Sequence, residues 1–153
     1  MSEWLDEASM QAWMAYVRMR MKVEGEIAFG LEQDGLSGAD YEVLTTLSDQ
    51  PGVSMRAKDL ARVMNWHKAR LSRQLARMDK RGLLTRCQAP DDARGIVVTL
   101  SEQGRTILEQ AAPKHAALIQ RIFADQLTEP EIEALISLSA KVIAAADKES
   151  DSL

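Results

Sequence analysis

The stretch Asn65-Trp66-His67-Lys68-Ala69-Arg70-Leu71-Ser72-Arg73-Gln74-Leu75-Ala76-Arg77-Met78-Asp79-Lys80-Arg81-Gly82 decides the fold. From His67 to Arg81 the apolar residues Leu71, Leu75 and Met78 recur at helical spacing, and a 100° step per residue sets Arg70, Arg73, Arg77 and Arg81 within an arc of about 80°. The spacing predicts a helix with one face in the core and a row of guanidinium groups facing out, ended by Gly82. Upstream, Ala57 to Met64 carries Leu60, Ala61 and Met64 inward, and only Asn65 and Trp66 separate the two segments. Two short helices joined by so tight a turn form a helix-turn-helix unit.

Beyond Gly82 the period drops from 3.6 to 2: Leu84, Arg86 and Gln88 alternate with Leu83, Thr85 and Cys87, and Ile96, Val98 and Leu100 alternate with Val97 and Thr99. The turn between them, Ala89-Pro90-Asp91-Asp92-Ala93-Arg94-Gly95, makes a β-hairpin with a polar tip. Before the basic helices, Ala39 to Ser48 reads as a helix with Tyr41, Leu44 and Leu47 inward, closed by Gln50-Pro51-Gly52 and preceded by the breakers Gly35, Ser37 and Gly38.

The first segment, Glu3 to Glu32, lacks proline and sets Met10, Met14, Val17 and Met21 in one stripe, with Ala8, Ala12, Ala15, Met19 and Val23 beside it. So wide an apolar surface on one helix needs more than one neighbour, which points to a subunit interface. The C-terminal part is helical, with Leu108, Ala111, Leu118 and Ile122 on one face and a bend expected at Pro113. A last helix opens at Thr128-Glu129-Pro130-Glu131 with a capping box and carries the seam Ile132, Leu135, Ile136, Val142, Ile143 and Ala146, while Asp147 to Leu153 should fray. The expected fold class is mostly α with a small β-hairpin wing, in a single domain, 1–153. A DNA-binding lobe spans 36–100, flanked by dimerisation helices over 3–32 and 101–148.

Composition narrows the function. At 46% hydrophobic and 27% charged residues, the 153-residue chain is globular rather than disordered. No apolar run reaches the roughly 18 residues of a membrane span, and the acidic start MSEWLDEASM does not read as a secretory leader, so a cytoplasmic location without membrane contact is expected. The lone cysteine, Cys87, has only His67 and His115 beside it, 48 positions apart, so neither a metal site nor a disulfide is expected.

The net charge of -4 conceals a segregation. Residues 55–105 hold 12 Lys and Arg against 5 Asp and Glu, a net +7; residues 1–54 carry -7 and residues 106–153 carry -4. A basic row is by itself usually the solvated face of a helix, and a polar hairpin tip without its flanking helices is usually a plain surface turn. Together on one segment they fit a polyanion: the helix suits a DNA major groove, and Arg94 at the hairpin tip suits a minor groove. Gly35-Leu36-Ser37-Gly38-Ala39 lacks the second glycine at the required place, where Ala39 stands, and the preceding strand of a nucleophile elbow. No phosphate-cradling or zinc-hydrolase motif occurs, so no enzymatic activity and no cofactor are expected.

Asp59-Leu60-Ala61, Arg70-Leu71-Ser72 with Arg77, Arg81-Gly82-Leu83, Asp92-Ala93-Arg94 and Val98-Thr99-Leu100 with Gly104, preceded by Gly35-Leu36-Ser37 and Asp40-Tyr41-Glu42-Val43-Leu44, together resemble the MarR family of bacterial winged-helix transcription regulators. The resemblance covers about Ala12 to Val142. It implies a homodimer with intertwined terminal helices, set on a pseudopalindromic operator in double-stranded DNA and acting as a repressor. It also implies His67, Lys68, Arg70, Ser72, Arg73 and Arg77 as DNA-contacting residues on the recognition helix, and Arg94 on the wing, steadied by Asp92.

Two positions depart from the family pattern. Arg56 stands where a Ser or Thr cap is usual and cannot accept from the helix N-terminus, which leaves that end near phosphate. Trp66 replaces the small aliphatic residues common there and reads as packing for the turn rather than as a base contact.

The resemblance further implies a small aromatic effector, for which Trp13, Met14, Tyr16, Phe29 and His115 are candidates. Each is also readable as core, His115 falling on the apolar face of its helix between Ala111 and Leu118. Cys87, beside Thr85 and Arg86, is a candidate redox thiol or simply a strand residue. Against the regulator stands a winged-helix protein-interaction module whose basic face docks on an acidic partner.

Overall fold

The computed structural model describes residues 4–151. Its helices are α1 (Glu7–Glu32), α2 (Gly38–Ser48), α3 (Ala57–Val63), α4 (Lys68–Lys80), α5 (Glu102–Ile122) and α6 (Glu129–Asp151). Strands β1 (Ser54–Arg56), β2 (Leu84–Ala89) and β3 (Asp92–Leu100) form one antiparallel sheet in the order β1-β3-β2. This is the winged-helix class, mostly α with a small β wing.

The turns are built where the sequence supplies a residue for left-handed backbone. Asn65, at φ 51°, follows α3; its N–H donates to the Arg62 carbonyl and that of Trp66 to the Ala61 carbonyl, so the helix ends in a Schellman turn that aims straight into α4. Gly82, at φ 75°, closes α4 in the same way: its own N–H donates to the Asp79 carbonyl and that of Leu83 to the Met78 carbonyl. Ser37 and Asp40 cap α2 reciprocally.

The core gathers Leu31 from α1, Val43, Leu44 and Leu47 from α2, Leu60 from α3, and Leu71, Leu75 and Met78 from α4. Leu83, Leu84, Val98 and Leu100 come from the sheet region, and Leu108 and Ala111 from α5. The expected inward residues of α4 are thus the buried ones, whereas Tyr41 of α2 is only half-buried.

Several expectations are corrected. The first helix begins at Glu7, where the Asp6 carboxylate accepts from the Ser9 N–H; the proposed start at Glu3 lies outside the described residues. β1 was not foreseen, because three residues are too few to show alternation; it pairs Ser54, Met55 and Arg56 with Thr99, Val98 and Val97. The hairpin turn is only Pro90-Asp91, with Ala89 opposite Asp92, and Ala93, Arg94 and Gly95 form an irregularity before Ile96 pairs with Gln88. Arg94 is therefore in a bulge on β3 rather than at the tip.

At the other end, α5 is one continuous helix that contains Pro113, so the proline does not end it, and the tail expected to fray is helical to Asp151, with residues 152–153 outside the described range. Glu131 accepts from the Thr128 N–H, but the Thr128 hydroxyl also turns to Glu131 instead of capping.

The chain divides into two compact units, Met1–Ala116 and Ala117–Leu153. The first contains α1 and the start of α5, whose Leu31, Leu108 and Ala111 complete the core around the 36–100 lobe. In the second, α6 has no buried residue, and Ile136, Leu138, Val142 and Ile143 are all at least half exposed.

A β-carbon at Gly104 would stand 2.0 Å from the Leu83 carbonyl oxygen and 2.9 Å from Leu100 Cδ1. Gly104→Ala therefore has to push α5 off the sheet, at a cost of about 1–3 kcal/mol. In urea unfolding, Gly104→Ala should lose this much while the exposed neighbour Arg105→Ala stays within about 0.5 kcal/mol of the parent.

Candidate nucleic-acid interface

α4 is presented with its N-terminus open. His67 occupies the cap position without a side-chain bond to the helix, and the first turn contains no acidic residue. The unpaired N–H groups and the positive end of the helix dipole therefore face whatever approaches, an arrangement that suits phosphate. His67, Lys68, Arg70, Ser72, Arg73 and Arg77 are all exposed; at 100° per residue Arg70, Arg73 and Arg77 share one arc, while Lys68 and Ser72 lie on the other flank of the helix, lining a shallow groove with Arg86 and Ile96 of the wing. Lys80 and Arg77 lie in the last turn, where cations complement the carbonyl end.

The four arginines of the outward row are not equivalent. Arg70 stacks on Trp66, with its guanidinium carbon 3.7 Å from the indole centroid. Arg73 has no hydrogen bond or ion pair among the described residues. Arg77 donates to the Gln74 side-chain oxygen at 2.6 Å. Arg81 is turned away from the row: it pairs with Asp40 Oδ2 at 2.7 Å and donates to the Gly35 carbonyl at 2.6 Å. Arg81 is exposed as expected, but unlike the other arginines of the row its guanidinium is engaged by Asp40 and Gly35.

That pairing belongs to a buried polar network the sequence did not disclose. Asp40 is only 3% exposed, accepts from the Ser37 N–H at 2.9 Å and, on its other oxygen, from Gln74 Nε2 at 2.6 Å. Burial pushes its carboxyl up, but the Ser37 N–H and the Arg81 guanidinium together outweigh this and hold it below its ordinary 3.8. The signal for part of it was legible, since Ser37-x-x-Asp40 has the spacing of a capping box; the partners Gln74 and Arg81, more than thirty positions away, were not.

The wing is tied down from two sides. Arg56 pairs with Asp91 at the hairpin turn, and this bond holds the Asp91 carboxyl below its ordinary value. Arg86 of β2 pairs with Asp79 of α4 at 2.9 Å. Within the bulge, Asp92 Oδ1 accepts from the Arg94 N–H at 3.0 Å and Gln88 donates to the Ala93 carbonyl at 2.7 Å. The Arg94 side chain is exposed, with no partner among the described residues. Arg56 caps nothing, and its charge goes to the wing.

The effector candidates do not assemble in one chain. Trp13 and Tyr16 stack loosely at 5.6 Å on the exposed surface of α1, near the exposed Met14. Phe29 is thirteen residues further along the same helix, about 20 Å at 1.5 Å per residue. Within one copy, Phe29 therefore stands apart from Trp13, Met14 and Tyr16. His115 stacks on Tyr41 at 4.5 Å with Nδ1 buried and unpartnered, and burial pushes its pKa down.

Cys87 is an exposed strand residue. Among the described residues no cluster of His, Cys, Asp or Glu is placed to hold a metal, and no helix is long and apolar enough to cross a membrane.

Comparison with known proteins places this geometry. Residues 34–95 match the model of the MarR family. The transcriptional regulator HosA of Escherichia coli O111:H- is 33% identical over 114 residues, 74% of this chain and 82% of that protein. AbsC, a MarR family transcriptional regulator from Streptomyces coelicolor, superposes with a TM-score of 0.84 at 30% identity, covering 94% of this chain and 99% of AbsC. Sco3205 from the same organism, a MarR family regulator solved in complex with DNA, gives a TM-score of 0.90 at 26% identity over 94% and 91% of the two chains.

The Asp40 network carries a stability prediction. Because the folded carboxyl lies below its unfolded value near 3.8, its contribution is complete above about pH 5 and is withdrawn as the pH falls through the folded value. Thermal melts between pH 6 and 3 should show a steep acid limb that Asp40→Asn flattens. At pH 7, Asp40→Ala should cost about 1–3 kcal/mol, because it strands Gln74 and Arg81.

Proposed function

The chain belongs to the MarR family of DNA-binding transcriptional regulators, and from that premise we propose that it is a repressor that grips a pseudopalindromic operator as a homodimer. The observation that carries the proposal is the exposed basic face of α4, open at its N-terminus and set beside a wing whose Arg94 side chain has no partner among the described residues. His67, Lys68, Arg70, Ser72, Arg73 and Arg77 would meet the major groove. Of the three arginines, Arg73 is the one with no hydrogen bond, ion pair or ring contact among the described residues, which leaves it to meet phosphate or base. Arg94, steadied by Asp92, would enter the flanking minor groove.

Dimerisation is supported by apolar surface that one copy leaves uncovered. On α6, Ile136, Val142 and Ile143 are 66%, 65% and 60% exposed, and on α1 the row with Met14, Met19 and Met21 is exposed as well. Surfaces of this kind are rare on monomers. A small aromatic effector that releases DNA would then bind where two copies meet, since one copy does not bring Trp13, Met14 and Tyr16 to Phe29.

The test is a mobility shift on the duplex upstream of the protein's own reading frame. Specific binding should weaken with salt at a slope of about -0.9 per phosphate neutralised, and Arg94→Ala should flatten the slope while leaving the melting temperature unchanged. Binding by an acidic protein partner, with no DNA sequence preferred over random duplex, would overturn the regulator in favour of an interaction module.

Ile136→Asp tests the dimer cleanly, because a residue so exposed in one copy is not needed for that copy to fold. Light scattering should show the parent as a dimer and the variant shifted to monomer at micromolar concentration. A parent that is monomeric would remove the dimer from the proposal.

A further inference from the structure

Trp66 stands in the connection between α3 and α4, just before the cap residue His67, and its backbone is fixed by the bond from its N–H to the Ala61 carbonyl at 2.9 Å. The indole is half-buried and packs on the core, so its ring is held from below. Above it lies Arg70, four residues on, with its guanidinium carbon 3.7 Å from the ring centroid. No hydrogen bond or ion pair claims Arg70 among the described residues. A guanidinium bound through its face keeps its five N–H donors, which radiate in its plane. The contact therefore restricts a side chain that is otherwise long and mobile without consuming its donors.

We propose that Trp66 is a specificity-determining positioning residue: the indole presets the Arg70 guanidinium as a planar fork for a guanine O6/N7 edge in the major groove. The inference rests on the DNA-binding reading above and goes beyond it, because it assigns base discrimination to a residue that touches no base. A preset fork fits the two parallel acceptors of guanine, whereas a free arginine is as well satisfied by phosphate. Arg73, one turn away, has no such support, so the two arginines are expected to differ in how sharply each discriminates.

Selection from random duplexes gives the operator, and replacing each of its guanines with 7-deazaguanine, which lacks the N7 acceptor, finds the one whose penalty disappears in Arg70→Ala. At that guanine Trp66→Leu should reduce the penalty about two- to fivefold, the worth of an exposed cation–π contact. Trp66→Phe should keep most of it, and in the Arg70→Ala background Trp66→Leu should change nothing.

Should Trp66→Leu fail to fold, ring-fluorinated tryptophan in a Trp4→Phe, Trp13→Phe protein preserves the shape of the indole and its packing while stripping the negative ring face, and should give the same reduction. Equal loss of affinity on the guanine and 7-deazaguanine duplexes, or persistence of the effect without Arg70, would make Trp66 a packing residue only and overturn the inference alone. A selection that enriches no sequence would overturn the regulator reading and the inference with it.

Discussion

Leu71, Leu75 and Met78 hold α4 by one face against the core, and a helix held along that whole face has no freedom to roll. Everything presented on the opposite face follows from this constraint. The charges of α4 point outward because burying an unpaired guanidinium is far more costly than leaving it in water. The helix also starts where it does because Asn65 accepts the left-handed conformation that ends α3 and brings Trp66 and His67 directly into the next helix.

The basic face is edited by a second, polar layer. Asp40, buried at the N-terminus of α2, draws in Gln74 and Arg81, and Gln74 in turn accepts from Arg77. A carboxylate placed there needs cationic and N–H partners, and α4 is the nearest supply. The N-terminal half of α4, from His67 to Arg73, stays clear of this layer beside the open helix terminus, and Arg77 remains exposed although it donates to Gln74. The wing is treated similarly: Arg56 and Arg86 go to Asp91 and Asp79, which fixes the hairpin in place and leaves the side chain of Arg94 for another partner.

Surface chemistry divides along the chain in the same sense as charge. The basic middle third forms the face described above, while α1 and α6 carry apolar rows that their own chain does not cover. In an isolated molecule such rows would be a liability for aggregation, and they are the surface that the proposed dimer would cover. The buried, unpartnered Nδ1 of His115 beside Tyr41 is the main polar irregularity in the first unit.

The sequence by itself determined the helix order, the tight turn at Asn65 and Trp66, the inward face of α4, the hairpin after Gly82 and the basic segment. Each of these rests on spacing within one segment, where a period of 3.6 or 2 and a turn residue are sufficient. Tertiary structure alone decided that β1 pairs with β3, that Arg94 sits in a bulge, that Arg81 leaves the outward row for Asp40, and that Trp66 supports Arg70. The physical reason is range. Periodicity reports which face of an element is apolar, but which charge meets which, across thirty or forty residues, is fixed only when the core has set the elements side by side and burial forces each polar group to find a partner.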